Sequence, residues 1–249
     1  MLATQPSAGG EAPAALARRL GLPLRSSPDQ APSDELLLVG GPSGLELWAG
    51  PSRRNGRARV DFGSRQRGPH SLNLRRAVGR RPGRVIDATA GFGADAFALA
   101  ALGHRVLAFE RSPIMVALLE DGRRRALADP DLRAAAERLQ IRCGDSLGLL
   151  PRLDQSPDAV YIDPMYPAGR RLKTALPPLE IQLLRRLVGR ESDAAALLRA
   201  ALGTGARRVV VKRPPAAPAL PGPLAASHAG KLARYDVYRG APAAQSEGR

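Results

Sequence analysis

The sequence has a single cysteine, Cys143, among its 249 residues. One cysteine cannot form a disulfide within the chain, and a structural zinc site normally needs several cysteines and histidines at fixed spacings. We therefore expect neither a disulfide framework nor a metal site. We expect Cys143 itself to be a small, buried, apolar side chain.

Long apolar runs are absent as well. Runs such as ELLLV at 35–39 are far shorter than the roughly 20 residues that a membrane-spanning helix needs. The N-terminus has no basic start followed by an apolar stretch, so we expect no signal peptide. A cytoplasmic protein without a membrane partner is the default expectation.

Lysine is scarce, because only three of the 38 basic residues are lysines. The net charge of +15 suggests a polyanionic partner, with RNA or DNA first. The abundance of arginine together with alanine, glycine and proline equally suggests a coding bias. Eleven arginines and one acid, Asp61, lie between Arg53 and Arg84. This stretch either follows a phosphate backbone or forms a solvated linker.

The first third of the chain predicts a small β-rich unit. Residues 13–24 have the pattern of a short helix, and residues 35–50 predict two strands around a Gly-Pro-Ser-Gly turn. Residues 57–63 predict a further strand. We place an N-terminal subdomain at 1–78, with the basic stretch as its linker.

The rest of the chain alternates between strand and helix patterns. Such alternation, with continuously apolar strands, predicts a doubly wound, mostly parallel α/β sheet. Ligands of these sheets bind beyond the carboxyl ends of the strands. We place this domain at 79–242 and a tail at 243–249. The predicted strands are 84–91, 105–110, 138–145, 159–164, 207–214 and 233–240; the predicted helices are 94–103, 112–128, 178–189 and 192–205.

The first two predicted strands end in residues that suit a nucleotide-like cofactor. The glycines of the turn from Asp87 to Gly93 allow a close approach of ligand and backbone, and together with Ala96 they match G-x-G-x-x-A. A tight turn without a ligand is the alternative. Glu110, at the end of the second strand, can accept hydrogen bonds from a ribose diol, which suits NAD and S-adenosylmethionine equally. Arg111 beside it either covers an adenine or pairs with an acid.

The third predicted strand ends in Asp145 and Ser146. Asp145 either accepts a hydrogen bond from an adenine amine or caps the next helix.

The fourth strand ends in Asp163, Pro164 and Tyr166, and here the hypotheses separate. A hydride-transferring enzyme has no evident use for this motif. An enzyme that methylates a flat exocyclic amine can use it to orient that amine. If Asp163 and the Pro164 carbonyl accept the two amine hydrogens, the nitrogen lone pair localises and points at the methyl donor. Pro164 holds its carbonyl rigidly, and Tyr166 can stack on the base. An ordinary turn, with Tyr166 in the core, is the alternative.

These features resemble the class I S-adenosylmethionine methyltransferases and, within them, the RsmJ family of 16S ribosomal RNA guanine-N2 methyltransferases. The resemblance covers most of the chain, and the motifs together are far more specific than any one of them. It implies an α/β, Rossmann-like class I methyltransferase with a doubly wound sheet and a small N-terminal β-rich subdomain. The matching segments are VDF (60–62), VIDATAGFGADAFALA (85–100), RVLAFERSPIMVALLEDG (105–122), VYIDPMYP (160–167), RVVVKRP (208–214) and RYDVYRGAP (234–242).

The resemblance also implies the reaction and the site. S-adenosylmethionine is the expected methyl donor, and the expected target is the N2 amine of one guanosine near the 3′ end of 16S ribosomal RNA, guanosine 1516 in that family. The expected partner is that RNA or the small ribosomal subunit, with no obligate protein partner evident. The implied catalytic residues are Asp163, Pro164 and Tyr166. The implied cofactor contacts are Gly91, Ala94, Asp95, Glu110, Arg111, Asp145, Ser146 and Asp163.

The sequence departs from the family pattern in several places. Ala94 stands where arginine is usual, so only a backbone contact is expected there, and Asp145 replaces a serine. The segment before the first large-sheet strand is shorter than usual, and ALPPLE (175–180) has prolines where lysines are usual. Both of these segments are expected to face RNA.

The target base has to be unpaired or flipped out of its helix before its amine can be reached. Candidates for holding the flanking phosphates include Arg65, Arg67, Lys212 and Arg213, and a solvated surface charge is the equal alternative for each of them. Three other functions stay open from the residues alone. They are an adenine-N6 methyltransferase acting on RNA or DNA, an NAD-dependent oxidoreductase, and a non-catalytic RNA-binding protein.

Overall fold

The structure is a computed structural model, and it describes residues 2–4 as backbone together with residues 11–51, 56–63, 71–165, 179–188 and 194–240. Several sequence predictions lie outside these ranges. They concern Arg65, Arg67, Tyr166, most of the segment at 175–180, the ends of the predicted helices at 178, 189 and 192–193, and the tail at 243–249.

Five strands near the N-terminus form a small sheet. They are β1 (Leu2–Thr4), β2 (Leu24–Arg25), β3 (Leu37–Gly41), β4 (Gly44–Trp48) and β5 (Arg57–Ala58), in the order β2-β1-β3-β4-β5. The predicted hairpin is confirmed as β3 and β4, which pair antiparallel from Leu37 and Trp48 to Gly41 and Gly44. Gly44 has φ 103°, a conformation that favours glycine.

Seven further strands form a large sheet in the order β11-β12-β10-β9-β6-β7-β8. Strands β6 to β10 are parallel to one another, whereas β12 runs antiparallel between β10 and β11. The strand order reverses between β6 and β9, which is the topological switch point. The strands are β6 (Arg84–Asp87), β7 (Arg105–Glu110), β8 (Leu139–Cys143), β9 (Ala159–Ile162), β10 (Arg208–Arg213), β11 (Leu224–Ala229) and β12 (Arg234–Arg239).

The helices follow the predicted alternation with three additions. The longest, α4, begins as expected, because the Ser112 hydroxyl accepts from the Met115 N–H at 3.4 Å and Pro113 is the first helical residue. Helices α2 and α5 were not predicted, and α6 was expected only as the helix that Asp145 caps in one of the two alternatives for that residue. The helices are α1 (Pro13–Leu20), α2 (Ser71–Val78), α3 (Ala94–Ala101), α4 (Pro113–Ala128), α5 (Arg133–Glu137), α6 (Ser146–Leu149), α7 (Leu179–Val188) and α8 (Ala194–Leu202).

Apolar side chains cover both faces of the large sheet, as the doubly wound prediction requires. Along β9, Tyr161 belongs to the cluster packed by α3 and α4, whereas Val160 and Ile162 belong to the cluster packed by α8. Successive strand residues point to opposite faces, so continuous apolar runs fill both clusters. The prediction of a doubly wound sheet is confirmed.

Two differences from the predicted organisation have physical reasons. The predicted strand at 57–63 pairs only over β5, and beyond it Val60 and Phe62 are buried; the Phe62 ring stacks on Phe97 of α3 with centroids 4.3 Å apart. Strand β11 was missed because its residues are mostly exposed and lack an apolar pattern. It exists through pairing with β12.

The predicted boundary at residue 78 stays a prediction. Helix α2, which lies before it, packs against β10, β11 and β12 of the large sheet. The small sheet also contacts the region predicted as the second domain, because β4 packs on α4. Cys143, expected to be buried, is exposed at the end of β8. Within the described ranges, no helix is both long and apolar enough to cross a membrane.

Candidate active site

One cavity of about 570 Å³ opens at the carboxyl ends of the parallel strands, beside the switch point. Its size is typical of a small-molecule site. Helix α7 borders it with Ile181 and Leu184. All predicted cofactor contacts line this cavity, together with Pro164 and Lys212. They are Gly91, Ala94, Asp95, Glu110, Arg111, Asp145, Ser146 and Asp163.

The turn after β6 brings the backbone close to the cavity. Gly91 and Gly93 have φ 50° and 73°, and Gly93 stands directly before α3. A Cβ atom on Gly93 would lie 2.6 Å from the Leu119 side chain, so glycine is required there by both conformation and space. The sequence prediction of a tight glycine turn into a helix is confirmed.

Asp87, at the start of this turn, is almost completely buried. Its Oδ1 accepts from the Thr89 N–H at 2.9 Å. Burial raises the pKa of Asp87 to about 8, although the Thr89 hydrogen bond opposes the rise. The carboxyl group is therefore largely protonated at neutral pH.

Glu110 is held in place by two backbone N–H groups. Its Oε2 accepts from Gly91 at 3.0 Å and its Oε1 from Ser112 at 2.9 Å. Burial raises the pKa of Glu110, and these two donors oppose the rise. Each carboxylate oxygen retains a further lone pair, so the group can still accept from ligand hydroxyls.

Asp145 and Ser146 connect the end of β8 to the cavity. The Asp145 Oδ1 accepts from the Leu147 N–H at 3.0 Å, so Asp145 is the N-cap of α6. The Ser146 hydroxyl is buried and donates to the Ala88 carbonyl at 2.6 Å. The predicted cap is confirmed, and a contact between Asp145 and an adenine stays a prediction.

Asp163 lies in a network that joins α3, β9, β10 and the turn after β6. Its backbone N–H donates to the Thr89 hydroxyl at 2.7 Å, and its Oδ2 accepts from the Lys212 ammonium at 2.8 Å. The same ammonium donates to Asp95 Oδ2 at 2.7 Å. Tyr161, fully buried on β9, donates to that same Asp95 oxygen at 2.6 Å. The network therefore fixes the position of Asp163.

The ion pairs in this network keep Asp163 and Lys212 charged, although burial alone favours the neutral form of both side chains. Burial raises the pKa of Asp163 to about 6, with the Lys212 charge lowering it and the Asp95 charge raising it. Burial lowers the pKa of Lys212, but the charges of Asp163 and Asp95 outweigh this effect and hold it above its ordinary value. At neutral pH, Asp163 is largely a carboxylate and Lys212 an ammonium.

The predicted RNA-contacting residues that the structure describes do not lie on an open surface. Lys212 is half-buried inside the cavity and bound to two carboxylates. Arg213 is only 6% exposed, and its guanidinium donates to the Pro218 carbonyl. The sequence suggested that both side chains are exposed and bind phosphates. Instead, Lys212 points toward the face of the sheet that α3 covers, and the loop before β11 covers Arg213.

Sequence reasoning missed Thr89, Tyr161 and the position of Lys212 within the site. Tyr161 had a usable signal, because it precedes Asp163 by two residues and so points to the same face of β9. Thr89 and Lys212 had no such signal, because their contacts join residues far apart in the chain. Among the described side chains, no group of three or more His, Cys, Asp or Glu residues is arranged to hold a metal ion.

Comparison with known proteins decides the family. A family model described as "Putative SAM-dependent methyltransferase" matches residues 17–240. The chain is 44% identical over 245 residues to the ribosomal RNA small subunit methyltransferase J of Pseudomonas aeruginosa strain LESB58, which covers 93% of this chain and 92% of that protein. The chain belongs to this SAM-dependent methyltransferase family. The resemblance drawn from the motifs is confirmed, and membership excludes the dehydrogenase hypothesis.

Two further comparisons agree with this family. The methyltransferase of the same name from Dechloromonas aromatica strain RCB is 41% identical over 239 residues, with 91% of this chain and 95% of that protein covered. The crystal structure of the SAM-dependent methyltransferase NGO1261 from Neisseria gonorrhoeae matches with a TM-score of 0.77 and 33% identity. That match covers 100% of this chain and 98% of the other. The fold described above is therefore shared with a solved SAM-dependent methyltransferase.

Proposed function

We propose that this methyltransferase transfers a methyl group from S-adenosylmethionine to the exocyclic N2 of a guanosine in 16S ribosomal RNA. The relatives named ribosomal RNA small subunit methyltransferase J support the substrate. The observation that carries the proposal is Asp163, held beside Pro164 in the cavity by Thr89 and Lys212. The proposed partner is the small ribosomal subunit or its RNA, and the proposed location is the cytoplasm.

The cavity fits the cofactor that the family name implies. Glu110 is positioned to accept from a ribose diol, as acids at the end of this strand do in nucleotide-binding sheets. The glycine turn allows a ligand to approach the backbone closely at Gly91. Asp95, Asp163 and Lys212 together carry one net negative charge, which favours a cationic ligand centre. S-adenosylmethionine supplies a methyl group activated on such a centre, a sulfonium.

The proposed role of Asp163 and Pro164 is to orient the amine of the target base. The Asp163 carboxylate accepts one amine hydrogen, and the Pro164 carbonyl accepts the other. The nitrogen lone pair is then no longer shared with the ring and points toward the methyl donor. Because the methylated nitrogen becomes strongly acidic, water can take its proton and no strong general base is needed. Catalysis consists mainly of positioning.

Substrate binding is proposed to involve residues outside the described ranges. Tyr166 would stack on the extruded base, as aromatic side chains commonly do on unpaired nucleotides. Arg65 and Arg67 would hold flanking phosphates. Since Lys212 and Arg213 are engaged within the protein, the phosphate contacts are assigned first to those two arginines.

The test is methyl transfer from tritiated S-adenosylmethionine to purified small-subunit RNA, followed by hydrolysis and identification of the nucleoside. We expect labelled N2-methylguanosine. Label in N6-methyladenosine would favour the adenine alternative, because Asp163 and Pro164 could orient either amine. Label only in DNA or protein would refute the RNA substrate.

Asp163→Ala tests the catalytic role. We expect kcat to fall by about 100-fold or more, as for other groups that act mainly on the transition state, while RNA affinity changes little. Asp154→Ala is the matched control, because Asp154 is an exposed acid outside the cavity lining. Full activity in Asp163→Ala would contradict the proposal.

A further inference from the structure

Lys212 joins two carboxylates inside the active-site cavity. Its ammonium is 2.7 Å from Asp95 Oδ2 and 2.8 Å from Asp163 Oδ2. Two carboxylate oxygens bound to one nitrogen lie within about 6 Å of each other, a distance at which like charges strongly disfavour ionisation of both acids. The ammonium therefore lies where it offsets the repulsion between the two carboxylates.

Other titratable or charged side chains also line or adjoin this cluster, and each packed element contributes to them. Among the described contacts, the hydrogen bond to Asp163 Oδ2 comes from Lys212, so these other side chains do not take the place of the ammonium. They are Asp87 at the end of β6, Tyr161 on β9, Tyr235 on β12, and Glu180 and Arg185 on α7.

The identity of the residue fits this bridging position. Lys212 is one of only three lysines in a chain with 38 basic residues, so arginine is the usual cation elsewhere. An ammonium is a compact point charge with three donors and can bind two separate carboxylate oxygens at once. A planar guanidinium instead favours two parallel bonds to one carboxylate.

We propose that Lys212 is a positioning residue for methyl transfer, whose ammonium keeps the Asp163 carboxylate ionised and leaves its Oδ1 to accept from the target amine. This inference rests on the proposed function, because Asp163 affects the rate only if it accepts from that amine. Lys212 acts through Asp163 and touches neither reacting atom. Without the ammonium, burial and the Asp95 charge would lead Asp163 to take up a proton and lose its acceptor role.

The test compares Lys212→Met, Lys212→Arg and Asp95→Asn by single-turnover methyl transfer between pH 5 and 9. The wild-type rate should rise with a midpoint near the Asp163 pKa of about 6. In Lys212→Met the midpoint should move up by at least about one unit, so that roughly half of the rate or more is lost at pH 7 and recovered toward pH 9. Lys212→Arg should keep the midpoint near its wild-type value.

Asp95→Asn should move the midpoint in the opposite direction, because it removes the like charge that raises the Asp163 pKa. This variant keeps the test decisive if Lys212→Met does not fold. A purely structural role for Lys212 predicts a lower rate at every pH with an unchanged midpoint. An unchanged midpoint in either Lys212→Met or Asp95→Asn would overturn the proposal.

A second measurement separates failure of this inference from failure of the proposed function. The carboxyl carbon of Asp163 is followed by NMR in ¹³C-aspartate-labelled protein without RNA, and its signal is assigned by its loss in Asp163→Asn. We expect the Asp163 pKa to be higher in Lys212→Met than in the wild type even if no RNA is methylated. Equal values in the two proteins would refute the role of Lys212 whatever the substrate is.

Discussion

At the scale of single residues, Asp87 makes the stability of the protein depend on pH. Burial raises the pKa of Asp87 from 3.8 to about 8 in the folded chain. Between these values the folded chain keeps a proton that the unfolded chain releases, so the free energy of unfolding falls as pH rises from about 4 to about 8. Above pH 8 this contribution levels off.

Asp87→Asn removes this dependence, because asparagine keeps an oxygen that can accept from Thr89 but cannot ionise. We expect the variant to gain stability relative to the wild type as pH increases, measured as the difference in Tm at pH 4.5, 7 and 9. The control is Asp154→Asn, which removes an exposed acid, and the trend for Asp87→Asn should exceed the trend for this control. A constant Tm difference for Asp87→Asn across pH would contradict the assignment.

At the scale of elements, the β3–β4 hairpin is attached to the methyltransferase sheet through α4. Asp121 of α4 accepts from the Leu45 N–H at 3.1 Å and forms ion pairs with Arg124 and Arg125 at 2.7 and 2.9 Å. The Arg125 guanidinium also donates to the Val60 carbonyl. A nearly buried carboxylate with three donors is well satisfied, so the contact is specific rather than a loose surface pair.

Gly122, next to Asp121, allows α4 to pack closely against Val60. A Cβ atom on Gly122 would lie 2.3 Å from the Val60 Cγ1 atom. Gly122→Ala should therefore destabilise the protein by about 1–3 kcal/mol, as overpacking does, although alanine favours the helix. The measurement is the urea midpoint of unfolding.

The control for this substitution is Gly148→Ala in α6, where an added Cβ would meet nothing within 4 Å. There the gain in helix propensity should prevail, so the stability should stay equal or rise by up to about 1 kcal/mol. If the two substitutions had the same effect, the close packing of Val60 on Gly122 would be refuted.

At the scale of the whole molecule, the net charge of +15 should make the affinity for RNA depend on salt concentration. Under the proposed function, log K for an RNA fragment should fall linearly with log salt concentration. Each neutralised phosphate contributes about −0.7 to the slope for single strands, so three contacts give about −2. Fluorescence anisotropy between 50 and 400 mM KCl measures it.

S-adenosylhomocysteine affinity over the same salt range is the control. The cavity holds both acidic and basic side chains, so this affinity should change much less than RNA affinity. A flat response for RNA would mean that the excess arginine reflects coding bias and does not serve RNA binding.

The elements that sequence predicts best here are those with local signals. The Ser112 cap and Pro113 begin α4 as expected, and the glycine turn after β6 leads into α3. In contrast, β11 has no apolar pattern and forms only because β12 offers it hydrogen-bonding partners. Helix α2 lies in a stretch that the sequence predicted as a basic linker.

In the active site, too, the sequence predicts residues that have a local signal and misses contacts between remote residues. The strand-end residues Asp87, Glu110 and Asp163 were identifiable because parallel strands end at one edge of a sheet, and all three line the cavity. Lys212 was assigned to phosphates because a basic residue after an apolar run gives no hint of its partner. Its ion pair with Asp95 joins residues 117 positions apart.

For this protein, the amino-acid sequence by itself determined the alternation of strands and helices, the strand-end acids and the family. It could do so because periodicity, caps, glycine turns and motifs are properties of neighbouring residues. Only the tertiary structure decided which side chains are buried together and which charges they share. Distances between remote residues set the pKa of Asp163 and the partners of Lys212, and no local pattern encodes such distances.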